Sequence, residues 1–290
     1  MFCHPQMTES GMSDTETLEK AAEARDEPFL NRTDDDGVTT LAFNRPGEMN
    51  ALSEGMLAAL QIELDSIAED RSVRVVVLEG QSRAFCAGHN LKQMRANYSL
   101  DYQKSLFATC TKMMLSVLLL PQPVIAKVEG LATAAGCQLV ATCDLAIAAD
   151  SARFATSGIN VGLFCSTPGV AVGRALPRKH AMDLLLTGDF ISAARAAEIG
   201  LINKAVPEGD LDTETEALAR KLANKSAHAL ALGKTAFYQQ LEMGVSDAYA
   251  LAGAEMARNM MDRDAAEGID AFVEKRDPVW DQNPRDEEDS

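Results

Sequence analysis

Apolar positions along this chain switch repeatedly between two spacings. Residues 38–43 alternate at the period of a half-buried strand, and residues 73–78 form a β-branched run. Between them, Ser53 caps a segment in which Met56, Leu57, Leu60, Leu64 and Ile67 recur at helical spacing and which ends near Asp70. Residues 101–120 predict a long helix carrying Leu106, Phe107, Cys110, Met113, Met114, Val117 and Leu118, stopped by Pro121 and Pro123. Val124, Ile125 and Val128 make another β-type run. Gly130 breaks it, and the small residues from Ala132 to Gly136 lead into an apolar helix of about two turns. Beyond Asp150 the pattern predicts a strand at 153–156, a Gly-rich loop at 157–168, helices at 170–176, 178–187 and 193–199, and a closing strand within 200–207. From Asp210 onward it is helical. Strands alternating with helices imply right-handed crossovers and a largely parallel sheet, the α/β class.

The first 27 residues carry few large apolar side chains and many acids, so they read as a flexible tail. The core is assigned to residues 28–208 and an α-helical C-terminal region to 209–290. The polar stretch after Lys92, up to Leu100, is expected to be mobile and to act as a lid or gate.

Composition narrows the function. The chain has 290 residues, 47% of them hydrophobic, enough for an ordinary core. Lys and Arg total 27 against 43 Asp and Glu, a net charge of −16, which argues against nonspecific binding to nucleic acid or an anionic membrane. No apolar stretch reaches the ~18 residues of a membrane span. The six cysteines lack the paired C-x-x-C spacing of a zinc or redox site, so no metal is expected and the thiols read as reduced core residues. The acidic N-terminal segment is unlike an Arg-rich presequence, and a cytoplasmic location is expected.

The chemistry is expected where two strand–turn–helix passages come together. In residues 123–150, no large side chain guards the start of the helix near Ala135. Its first N–H groups lack partners within the helix and sit at the positive end of its dipole, which suits an oxygen gaining negative charge. Close helix packing alone would also favour small residues there. The second passage, Ala84-Phe85-Cys86-Ala87-Gly88-His89-Asn90-Leu91-Lys92, again follows a strand and a Gly-containing turn. Two such units can each offer one backbone N–H to a shared point, the geometry of an oxyanion site.

The segments AFCAGHNLKQM and VEGLATAAGCQLVATCDLAIAAD resemble the two defining segments of the crotonase (enoyl-CoA hydratase/isomerase) superfamily, and the resemblance runs from about Val38 to Arg276. It implies a ββα spiral core with an α-helical C-terminal oligomerisation region. It implies an acyl-CoA thioester whose carbonyl oxygen lies between the N–H groups of His89 and Ala135. Coenzyme A would then be part of the substrate, with no other cofactor tightly bound. By the same resemblance Arg45, Ala51, Ala87, Asn90, Leu91 and Lys92 fall at CoA-binding positions, and Lys275 or Arg276 at the C-terminal basic position that serves a neighbouring subunit. Assembly as a homotrimer or a dimer of trimers follows from it, and the apolar Phe237, Leu241, Met243, Tyr249, Leu251, Met256, Met260 and Met261 suit such an interface.

The two glutamates that bracket the substrate double bond in hydratases of this family fall on Gln138 and Gly158. An amide is not a useful acid or base, and glycine has no side chain. Three readings follow. The chain is an acyl-CoA enzyme of lyase or isomerase type using other groups, with His89, Cys165, Ser166 and Asp144 as candidates; or it is a noncatalytic acyl-CoA binding or sequestering protein; or it is a hydrolase on the same fold. The last lacks a nucleophile at Ala135 and a placed His–Asp pair.

Overall fold

The computed structural model describes residues 27–80 and 83–281. The expected N-terminal tail lies, but for Glu27, outside the described residues. In chain order the first half comprises β1 (Leu30–Asp35), β2 (Val38–Phe43), α1 (Glu54–Glu69), β3 (Val75–Gly80), β4 (Ala84–Cys86), α2 (Leu91–Ala96), α3 (Leu100–Leu119), β5 (Val124–Val128), β6 (Leu131–Thr133) and α4 (Ala135–Thr142). There follow β7 (Leu145–Ala149), β8 (Arg153–Ala155), α5 (Ser166–Ala175), α6 (Arg178–Thr187), β9 (Ile191–Ser192), α7 (Ala193–Ile199), β10 (Lys204–Val206), α8 (Leu211–Ala223), α9 (Ala227–Gln240), α10 (Val245–Met260) and α11 (Arg263–Glu274).

Two sheets form, in the order β1-β2-β3-β5-β7-β10 and β4-β6-β8-β9. The chain serves them alternately: β3, β5 and β7 enter the first sheet, and β4, β6 and β8, each next along the chain, enter the second. Helices return the chain after each pair, and all neighbours from β2 to β10 in the first sheet are parallel. This is a ββα spiral, the crotonase-like α/β fold that the resemblance implied. β1 is the exception, an antiparallel hairpin partner of β2 turning over Asp36-Gly37, both at positive φ.

Local sequence explains the helices. Ser53 accepts a hydrogen bond from the Met56 N–H, and α1 buries Met56, Leu57, Leu60, Leu64 and Ile67, the predicted face. α3 buries Leu106, Cys110, Met113, Met114 and Val117 in the same core. The stretch expected to be a mobile lid is instead structured. Asn90 caps α2 by accepting from the Gln93 N–H, Ser99 caps α3 in the same way, and Gln103 donates to the carbonyls of Met94 and Asn97. These polar residues spend their hydrogen bonds on the helix ends.

The helical C-terminal region is tied to the spiral by a buried ion pair. Asp144 accepts from the Val124 N–H and from Lys234 Nζ, both at 2.7 Å, and from the Tyr238 hydroxyl at 2.9 Å. Lys234 also donates to the carbonyls of Val117 and Gln122. Burial pushes the Lys234 ammonium below its usual value, against the pull of Asp144. α9 and α10 bury no residue fully, and Phe237, Leu241, Met243, Tyr249, Met256, Met260 and Met261 are exposed.

Candidate active site

The site lies at the carboxyl ends of β4 and β6, adjacent parallel strands of the second sheet. Each strand runs into a turn and then a helix start, and in each turn a carbonyl is anchored on one side so that the next N–H faces the other. The Gly88 carbonyl accepts from the Leu52 N–H at 2.8 Å. In a trans peptide the N–H lies opposite its carbonyl, so the His89 N–H points away from Leu52. The Ala134 carbonyl accepts from the Gln138 N–H at 3.0 Å along α4, so the Ala135 N–H points out of the helix start. Among the described residues neither N–H finds a protein acceptor.

The two peptides are in contact. Gly88 has φ +87°, and a Cβ there would stand 2.9 Å from the Ala134 Cβ and 3.1 Å from the Ala135 nitrogen. A side chain at Gly136 would meet the Cys86 carbonyl, which seats α4 directly on the end of β4. Ala134 itself carries φ 51° and ψ −117°, a conformation that L residues rarely hold, and its N–H is fixed by Ala155 of β8. The backbone that aims Ala135 is therefore strained, and its surroundings hold it.

Around this pair the predicted residues divide. Ala51 and Leu52 lie in the loop after β2, pinned by buried Asn50, which donates to the Ala84 carbonyl. The Ala87 carbonyl accepts from Thr133. Asn90 spends its side chain on the α2 cap and on Glu48. Leu91, Lys92 and Lys275 are exposed, and Lys275 terminates α11 in the left-handed conformation. The Arg45 guanidinium donates to the carbonyls of Glu27, Pro28 and Asn44 and stacks on the Phe29 ring. Arg276 pairs with Glu267 and Glu274 within the chain. Asp144 belongs to the anchor described above, and Ser166 is exposed, its hydroxyl donating to the Phe164 carbonyl.

His89 carries more than its N–H. Its Nδ1 lies 3.3 Å from the Leu52 carbonyl and its ring meets Phe107 edge-on, leaving Nε2 buried without a partner. Donation from Nδ1–H makes Nε2 the acceptor nitrogen. Burial pulls the imidazole below its usual value, with the Leu52 contact working in the opposite direction.

The two positions expected to hold carboxylates differ sharply. Gln138 lies one turn along α4 from Ala135 and is 6% exposed; its amide oxygen is buried and unpartnered. Gly158 lies in the 3-10 turn Ser157–Val161, where a Cβ would stand 2.6 Å from the Leu163 carbonyl and 2.8 Å from Cys165 Sγ. The space for a side chain at position 158 is already filled. Cys165, which precedes α5, is buried, with its sulfur packed against Gly158. Burial raises this thiol above its ordinary value, and raises Cys137 beside it to about 12. Nothing along the chain marked the roles of Leu52 and Ala134, since a carbonyl acceptor and a strained backbone leave no side-chain signature.

Among the described residues no cluster of three or more His, Cys, Asp or Glu is placed to hold a metal ion, and no helix is long and apolar enough to cross a membrane.

Comparison with known proteins shows the family. A family profile described as enoyl-CoA hydratase/isomerase matches residues 33–283. Enoyl-CoA hydratase domain-containing protein 3, mitochondrial, from Xenopus laevis is 48% identical over 244 residues, covering 84% of this chain and 83% of that protein. The crystal structure of an enoyl-CoA hydratase from Mycobacterium smegmatis superposes with a TM-score of 0.86 at 56% identity, covering 88% of this chain and 99% of that one. That of human enoyl-CoA hydratase domain-containing protein 3 gives 0.85 at 45%, covering 88% and 100%. The expected cytoplasmic location is corrected by these names: the Xenopus, rat and human relatives are all called mitochondrial. That expectation rested on the acidity of a segment outside the described residues.

Proposed function

The chain belongs to the enoyl-CoA hydratase/isomerase family, and from that premise we propose that it binds an acyl-CoA thioester with the carbonyl oxygen between the His89 and Ala135 N–H groups, stabilising the thioester enolate. Coenzyme A enters as part of the substrate, with no other tightly bound cofactor. The observation that carries this reading is the pair of abutting peptides whose carbonyls are anchored to Leu52 and Gln138, leaving both N–H groups turned to one side. Simple hydration is not the activity proposed, because position 138 holds an amide and position 158 has no room for a carboxylate. The filled space at Gly158 also favours a second reading, a protein that holds an acyl-CoA without turning it over. The exposed apolar faces of α9 and α10 support a homotrimer or a dimer of trimers, with Lys275 near a neighbouring subunit's CoA.

Titration calorimetry with butyryl-CoA, which has no double bond to hydrate, tests the reading. The thioester should bind more tightly than CoA alone, and Ala135→Pro should remove that advantage. Proline is tolerated at the first position of a helix, so this change deletes one N–H donor while α4 keeps its own hydrogen bonds, and it also constrains the Ala134 backbone that precedes it. Butyryl-CoA binding no better than CoA would sink the proposal. Light scattering at micromolar protein checks the assembly, and a monomer mass would refute it.

A further inference from the structure

We propose that the His89 side chain is a positioning residue for its own backbone donor: the neutral imidazole, hydrogen on Nδ1, holds the Leu52 carbonyl, and Leu52 holds the Gly88 carbonyl, so the ring fixes the direction of the His89 N–H. The inference rests on the reading above, since it concerns the donor that meets the thioester oxygen.

Leu52 is gripped on both sides of its Cα. Its N–H donates to the Gly88 carbonyl at 2.8 Å, and its own carbonyl lies 3.3 Å from His89 Nδ1. One bond alone would leave a soft torsion of Leu52 free, and the pair fixes both. The loop that carries Leu52 is unusual backbone, with Met49 at φ 54° and Asn50 at φ 51°. Met49 and Asn50 tie it to Ala87 and Ala84 of the facing passage. The contact at Leu52 reaches further, to the peptide that carries the donor.

The ring is itself held. Phe107 of α3 packs edge-on against it, with ring centroids 5.4 Å apart. Nε2 is buried without a partner among the described residues, so a hydrogen there would be a buried donor lacking an acceptor. Burial also disfavours the charged ring. Both effects select one form, neutral with hydrogen on Nδ1, which is the form that donates to Leu52. The ring lies toward Leu52 and the His89 N–H points away from it, so the imidazole shapes the site without touching the thioester oxygen.

Aim matters because a main-chain donor works over a narrow range. An oxyanion donor must stand about 2.7–3.1 Å from the place the charged oxygen will occupy. A peptide free to rock weakens the bond to the thioester oxygen and leaves the contacts with the rest of CoA as they are. Loss of the ring's hydrogen bond therefore falls on the thioester and spares CoA.

The test compares butyryl-CoA with CoA by titration calorimetry on the full-length protein, in wild type, His89→Phe and His89→Asn. Phenylalanine keeps a ring against Phe107 and removes the donor, whereas the Asn amide nitrogen falls where Nδ1 does and restores it. His89→Phe should weaken butyryl-CoA at least about 5-fold with CoA unchanged, the worth of one ordinary hydrogen bond, and His89→Asn should recover most of that loss. An unchanged ratio in His89→Phe, or an equal loss in both variants, overturns the proposal. A wild-type measurement decides the matter if the variants do not fold. The nitrogen NMR spectrum of isotopically labelled histidines should show His89 protonated at Nδ1 and bare at Nε2, and the reverse tautomer overturns the proposal. Butyryl-CoA binding no better than CoA in wild type would overturn the oxyanion reading first, and this one with it.

Discussion

Within one turn of α4, Ala135 and Gln138 belong to two half-sites held in place by different means. The oxyanion half consists of main chain: the Gly88 and Ala134 carbonyls are anchored to Leu52 and Gln138, and the two peptides touch where a Cβ on Gly88 would strike Ala134. The other half, in the proposed reading, consists of side chains: at the two positions that the resemblance gives to hydratase carboxylates stand an amide whose oxygen has no partner and a glycine whose space a cysteine sulfur fills. Main-chain donors are fixed by the fold, so any sequence that keeps the spiral keeps them. Side-chain acids are fixed by single codons and can be lost while the spiral stands.

Turnover is where the two halves should separate most. Each missing acid or base is worth about 10²- to 10⁴-fold, and the two together are not simply multiplied. Wild-type hydration of crotonyl-CoA, followed by loss of the enoyl thioester absorbance, should therefore fall at least about 10²-fold below that of a two-carboxylate hydratase. Rapid hydration would show that another group moves the proton, with His89 Nε2 the first to examine.

Substitution of the backbone half attacks the fold itself. Gly88→Val combines a φ of +87° with contacts of 2.9–3.1 Å to Ala134, Thr133 and Ala135, and should cost about 3 kcal/mol or more in urea unfolding. A loss below about 1 kcal/mol would mean that the two peptides are not held together as described.

Gly158→Ala probes the other half on the same scale. The added methyl must displace Cys165 Sγ or the Leu163 carbonyl, an overpacking cost of about 1–3 kcal/mol. Cys165→Ala in the same chain should recover part of it, and strict additivity of the two changes would break the contact assigned here. The same crowding means that Glu introduced at position 158 will not restore a hydratase while Cys165 and the Leu163 carbonyl stay in place.

Ala134→Gly should act in the opposite sense. Glycine holds φ 51°, ψ −117° freely, whereas alanine there stores strain of about 1–3 kcal/mol, partly offset by the greater entropy glycine loses on folding. The melting temperature should rise by a few degrees, the response to a net gain of about 1 kcal/mol. An unchanged or lower value would remove the argument for strain.

The smallest effect concerns pH. Burial lowers the His89 pKa below the usual 6.5, so between that value and the lowered one the unfolded chain binds more protons than the folded one. Stability should then rise with pH through this window and fall as the solution is acidified below about 6.5. The urea midpoint should drop more on acidification in wild type than in His89→Phe; equal drops would place the titration elsewhere.

Much of the spiral could be read from the chain. The helices at 54–69, 178–187 and 193–199 were expected from the sequence pattern, the first of them also from its capping Ser53, while the cap that Ser192 gives the third was seen only in the structure. Strands buried on both faces, such as Val124–Val128, announced themselves by β-branched runs. β1 went unread because LNRTDD buries only Leu30 and pairs through its backbone, although Asp36-Gly37 after it is a hairpin signal. β4, β6 and β9 are two or three residues long and exist by pairing, β4 with β6 and β9 with β8, which no local composition encodes. In the site, the small residues around Ala135 were visible. The filling of position 158 was not, because it depends on how the loop returns Cys165 from seven residues away.

The Asp144–Lys234 pair also sets an order of events during synthesis. The two residues are 90 positions apart, so a ribosome adding about 5–20 residues per second completes Asp144 roughly 5–20 s before its partner. Through that interval the nascent spiral holds a carboxylate bound for a buried place with neither ammonium nor tyrosine hydroxyl to meet it, and a chain released early keeps that defect permanently. The buried carboxylate is therefore matched only once α9 has been made, so the spiral and the helical region become one unit late in synthesis.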